Sequence, residues 1–155
     1  MSWREVGFLG TAVTQTLAYP SLGAGNISTT ALLDLGDGFT PESIVGFRLV
    51  TVQSGVRLML GIPGGAAQDE LPDGVPITAV TNVAASTYNT LLGWTTVMQP
   101  VLPTSGSAER TYTVKLGTLP RKLSLAVHNF GTVALDASAT QVVTLTPIHH
   151  LRIPA

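Results

Sequence analysis

An all-β fold, an antiparallel β-sandwich with jelly-roll character and about eight strands, is what this sequence predicts, on three observations. Apolar residues recur at every second position in several segments. Gly, Pro and Asn separate those segments. No stretch carries a 3.6-residue apolar stripe over the ten or so residues that a helix needs. The 155 residues suffice for one domain with one core. We expect that domain at 11–148, with extended terminal arms at 1–10 and 149–155.

The clearest strand is 110–116, where Tyr112, Val114 and Leu116 alternate with Thr111, Thr113 and Lys115. The alternation resumes after the turn residues 117–120, with Leu123, Leu125 and Val127 on one face. The two segments read as a hairpin with a short loop. Upstream, 44–52 and 56–60 flank Ser54-Gly55, which reads as a tight connection. Strand character also marks 11–19, 27–35 and 88–99, a short run at 132–135, and a longer one at 141–148. Pro147 is expected to limit how far that last strand pairs, since it has no N–H to donate. Three long loops remain, at 20–26, 63–76 and 100–108. The second is the most irregular, and it is expected to protrude.

Charge decides much of the function argument. Asp, Glu, Lys and Arg make up 11% of the chain, where a typical soluble domain carries about 25%. With a net charge of −1 and scattered cations there is no footprint for nucleic acid. Apolar runs are broken every few residues by Thr, Ser, Gly or Pro, so no membrane-spanning helix is expected. Glu5 interrupts the apolar run that an export signal requires. There is no Cys, so neither disulfides nor thiolate metal sites are available. Asn26-Ile27-Ser28 matches a glycosylation sequon, a pattern short enough to arise by chance.

The candidate chemistry is sparse. No Gly-x-Ser-x-Gly elbow and no Walker-type glycine loop occurs. The imidazoles are His128, His149 and His150. His128 closes a strand beside Asn129 and reads as a hydrogen-bonded strand-end residue rather than a general base. Adjacent His149 and His150 fall on opposite faces of an extended chain, poor geometry for holding one metal. Asp34 and Asp37 sit in a loop that lacks the remaining calcium ligands, and Asp37-Gly38 reads as a turn. Asp69, Glu70 and Asp73 gather three carboxylates in one loop and read as a solvated acidic tip. Tyr19, Tyr88, Trp94 and Tyr112 are the aromatics that a sugar platform would use, although a lone Trp in a β-sandwich is usually core. We expect no enzymatic activity and no cofactor.

A monomer stays soluble with about 25–35% charged surface, and it blunts exposed sheet edges with Lys. This chain has neither device in quantity, so burial against partners is expected. A cysteine-free sandwich with Thr-, Gly-, Ala- and Val-rich strands such as 111–116 and 123–127 and apolar arms resembles the small virion proteins of tailed bacteriophages, the capsid decoration or cement proteins above all. That resemblance implies a homo-oligomer, trimeric in the first instance, bound to a major capsid protein on the outer capsid surface of the virion and stabilising the shell. The interface is expected at Trp3, Phe8, Leu9, His149, His150, Leu151 and Ile153, in the two arms. The alternative expectation is a carbohydrate- or receptor-binding sandwich of a phage fibre or spike, acting through the 63–76 loop and Trp94.

Overall fold

In the computed structural model the described residues are 2–9, 15–35, 44–51, 55–64, 69–71, 74, 76–86, 93–99, 110–116, 121–137 and 141–154. They form eleven strands: β1 (Trp3–Leu9), β2 (Gln15–Ala18), β3 (Asn26–Thr29), β4 (Leu33–Asp34), β5 (Ile44–Thr51), β6 (Val56–Gly61), β7 (Val80–Ala84), β8 (Trp94–Met98), β9 (Arg110–Leu116), β10 (Lys122–Asn129) and β11 (Val142–Pro154). The strands make two antiparallel sheets. One runs β1-β11-β5-β9, with β2 also on β11; the other runs β7-β3-β10-β6-β8, with β4 also on β10. The protein is all-β, as its alternating segments predict.

The pairings are nested. β2 pairs with β11, β3 with β10, β5 with β9 and β6 with β8. One long hairpin makes this pattern when its two arms pair along their whole length. The further pairings β5–β11 and β6–β10 roll that hairpin into two sheets. From β8 to β11, consecutive strands therefore alternate between the sheets, which corrects one expectation. Segments 110–116 and 122–127 are not a hairpin: β9 pairs with β5, and β10 with β3, β4 and β6. Likewise β5 and β6 lie in different sheets, so the connection around Ser54-Gly55 crosses between them. Two strands that bury the same face of a sandwich carry identical alternation whether they are partners or stand in opposite layers.

One core joins the layers. Leu17 of β2 and Val143 and Leu145 of β11 pack with Leu58 and Leu60 of β6 and Leu123, Leu125 and Val127 of β10; Tyr19, Leu22 and Leu135 close its end. Each of these Leu and Val side chains contributes about 1.5–3 kcal/mol through removal from water. A second, smaller cluster lies on the other face of the six-stranded sheet. There Ile27, Met59, Ala85 and Ala126 are buried, with Val80, Val83 and Trp94 packed against them. Leu71 and Ile77 are also buried. The described part of the 63–76 loop thus folds back, tied by Gly64 N–H to the Glu70 carbonyl (3.0 Å) and Ile77 N–H to that of Asp69 (2.8 Å). The expected protrusion is not what its apolar residues do.

β11 continues through Pro147 to Pro154, so the expected limit on its pairing is overturned. On one edge β11 meets β2 as far as Leu145 and β1 from Ile148 onward, leaving 146 and 147 without a partner there. A missing N–H costs no ladder bond at such a gap. Residues 132–135, read as a short strand, are irregular instead, although Leu135 is buried.

Candidate functional site

Two places in the fold gather chemistry: one end of the sandwich, where loops converge on Asn129, and the ribbon made by the two chain ends.

Asn129 is the last residue of β10, fully buried, and its side chain ties three stretches together. Its amide nitrogen donates to the carbonyls of Leu22 (3.0 Å), Gly23 (3.1 Å) and Val133 (2.9 Å). Its Oδ1 accepts from Gly131 N–H at 3.0 Å. Asn82 holds the neighbouring loop, with Oδ1 accepting from Gly23 N–H (2.8 Å) and from the Asn26 side chain (2.9 Å). The Asn82 backbone sits at φ +54°, the left-handed region that Asn tolerates. The sequon Asn26 therefore has its amide committed inside this network. Ser28 is buried, and its hydroxyl accepts from Asn82 N–H (3.0 Å).

Beside that knot, Arg57 of β6 stands directly across the ladder from His128 of β10. Arg57 Nε–H donates to His128 Nδ1 at 3.0 Å. The guanidinium carbon also lies 5.8 Å from the centroid of the Phe130 ring, within cation–π range. The His128 and Phe130 rings are 6.2 Å apart and tilted by 56°. Burial first, and the Arg57 charge second, hold the His128 pKa below the usual imidazole value. At neutral pH His128 is uncharged, with Nδ1 accepting and the hydrogen on Nε2. The strand-end reading of His128 fits this placement; Arg57 and Phe130 were not singled out in the sequence. Only a register linking 57 to 128 would have found them.

The expected interface residues meet in the ribbon. β1 pairs with β11 from Trp3↔Pro154 through Arg4↔Ile153, Val6↔Leu151, Gly7↔His150 and Phe8↔His149 to Leu9↔Ile148. The two arms are thus each other's strand partners. His149 and His150, consecutive in β11, fall on opposite faces. Of the carboxylate trio, Asp69 is exposed, Glu70 is half-buried, and Asp73 lies outside the described residues, as does Asp37. No group of three or more His, Asp or Glu placed to hold a metal occurs among the described residues. Asp34 is engaged by Arg121, whose Nε and Nη2 donate to its two oxygens at 2.7 and 3.0 Å.

The aromatics of the sugar-platform reading divide. Tyr19 is buried and Tyr112 packs half-buried against the main core, while Tyr88 lies outside the described residues. Trp94 is half-buried above Gly61. A Cβ on Gly61 would meet its ring at 2.8 Å, so this glycine is what allows the indole to lie on the sheet.

No protein-family model and no curated protein matches this sequence. Among solved structures, the chain is similar to dimeric latent PorU from Porphyromonas gingivalis, at 12% identity and a TM-score of 0.38. The match covers 96% of this chain and 13% of that one, and a likeness so slight carries no argument about function.

Proposed function

We propose that the chain is a non-enzymatic structural protein of a virion: a decoration or cement protein that binds a major capsid lattice on the outer surface, stabilises the shell, and works as a homo-oligomer, most simply a trimer. The observation that carries this reading is the ribbon. From His149 to Pro154, β11 has β1 as its one strand partner among the described residues. Positions 143 and 145 of β11 lie in the core, and 151 and 153 share their face by period two. Val6 is registered opposite 151, and Phe8 opposite 149, on that same face. The core-facing side of the sheet thus runs on into the ribbon as positions 4, 6 and 8 of β1 and 149, 151 and 153 of β11, which are Arg4, Val6, Phe8, His149, Leu151 and Ile153. A face with four apolar residues in six, beside an open strand edge, is a surface that association covers.

Two further observations support the reading. The nested strand order favours a jelly-roll reading of the sandwich, an architecture at home in capsid and lectin domains alike. The charge deficit of the whole chain favours a surface that is largely covered in use.

Size-exclusion chromatography with light scattering is the test. The intact protein is expected to run as a defined oligomer, and Leu151→Glu with Ile153→Glu to run as a folded monomer by circular dichroism. An intact protein that stays monomeric at high concentration, or an oligomer indifferent to the ribbon, overturns the proposal.

A further inference from the structure

The Arg57 guanidinium is only partly satisfied by its own chain. Its Nε is used on His128 Nδ1, and its charge rests on the Phe130 ring. Its two terminal nitrogens have no partner among the described residues, and the buried polar side-chain atoms left without one are Trp94 Nε1 and Gln141 Oε1. The terminal nitrogens of Arg57 therefore reach solvent, and so does His128 Nε2, which carries the imidazole hydrogen and is likewise unpartnered. Both groups offer donors only. Beside them lies an apolar ring, that of Phe130, which is 43% exposed.

The arrangement is held before any ligand arrives. Phe130 N–H donates to the Gly55 carbonyl at 2.8 Å, and Gly131 N–H and the Val133 carbonyl are both fixed by the Asn129 side chain. Gly55 sits at φ +85°, and a Cβ there would meet the Gly131 backbone at 3.0 Å, so the two loops touch through glycines. Little ordering entropy is left for a ligand to overcome.

We propose that Arg57, flanked by His128 and Phe130, is a receptor for a single carboxylate carried beside an apolar group: the side chain of Asp or Glu, next to an aliphatic residue, on a partner protein. A planar guanidinium matches a carboxylate with two parallel hydrogen bonds. One cation matches one negative charge, whereas a phosphate dianion is served by several. In β10, the strand that carries His128, the cation is Lys122, at the far end from His128. Phe130 supplies the apolar contact that a free anion does not use.

The test is a titration of the full-length protein followed by NMR at the His128 and Phe130 ring resonances, with acetyl-Leu-Glu-Leu-amide as the probe. Acetyl-Leu-Gln-Leu-amide, sodium acetate and inorganic phosphate are the comparison arms. The acidic peptide is expected to saturate with a Kd of about 1 mM, and the Gln peptide and acetate to bind about tenfold more weakly or not at all. Arg57→Gln abolishes the response, and Phe130→Ala, at an exposed position that leaves the core intact, weakens it severalfold. Binding also raises the His128 pKa, since an anion beside the ring favours its charged form. Equal responses to the Glu and Gln peptides, an acetate or phosphate response as strong as the peptide's, or a response surviving both substitutions overturns the proposal.

Discussion

The two faces of the six-stranded sheet are both buried, but by different means. The inner face is built from large aliphatic residues, Leu58, Leu60, Leu123, Leu125 and Val127, packed against a second sheet. The outer face carries Ile27, Met59 and Ala126 among the polar Thr29, Ser124 and His128. Ala85, the Trp94 ring and the β7 residues Val80 and Val83 pack against that cluster, and Leu71 comes in over Gly61. The inner face is a core by composition. The outer one is a core because the chain returns over it and satisfies its polar groups: Ser124 Oγ donates to the Thr30 carbonyl at 2.8 Å, and Thr29 Oγ1 to that of Thr78 at 2.6 Å. Burial alone is therefore a poor guide to how much a position stabilises.

The largest expected effect lies on the inner face. Leu125→Ala opens a cavity in a side chain with no exposure, and should destabilise by about 2–5 kcal/mol in urea denaturation. Ala126→Gly, its neighbour on the outer face, removes one methyl group and should cost about 1 kcal/mol. Equal losses at the two positions would break the contrast.

At the end where both faces meet the loops, Asn129→Ala takes the side-chain partner from the Val133 carbonyl and the Gly131 N–H, and one of two donors from the carbonyls of Leu22 and Gly23, which keep Leu135 N–H and Asn26 N–H. We expect a loss of about 2–4 kcal/mol, with faster amide exchange across 22–25 and 130–135. Gly61→Ala probes the cover directly. It places a methyl group against the Trp94 ring and Leu71, and a loss of about 1–3 kcal/mol with altered Trp fluorescence is expected.

Acid reaches the outer face through His128. Its pKa is lowered in the folded protein, so the unfolded chain binds the proton more readily. The stability that depends on neutral His128 is complete above the unfolded value near 6.5, falls as pH drops below it, and levels off beneath the folded value. Urea midpoints measured across that window should show this slope, and His128→Gln should flatten it. Smallest of all is Arg121→Ala. Its pair with Asp34 is about half exposed on both sides, so a loss of about 0.2–1 kcal/mol that salt erodes is expected.

Fold class and inner core were legible from period-two alternation, which reports the face of a strand directly. Partners were not legible, because β9 and β10 bury equivalent faces in different layers. The outer core was hidden for a related reason: Ser124 and His128 look like solvent positions until Leu71 and Ile77 are known to fold back. Arg57 and Phe130 lie far apart in sequence, and only the β6–β10 register makes them neighbours. The arms were visible as apolar segments at both ends. Their pairing with one another needed the rolled topology.

That topology also governs the order of events in time. Residue 3 finds its partner at residue 154, and β2 waits for β11 as well. β1 and β2 are thus completed only once β11 has been made, so the five-stranded sheet closes late. Domains dominated by such distant pairings fold in milliseconds to seconds rather than microseconds. For that interval unpaired edges with little charge to protect them stand open, and the edges to which we assign assembly are then the ones where misassembly at high concentration would start.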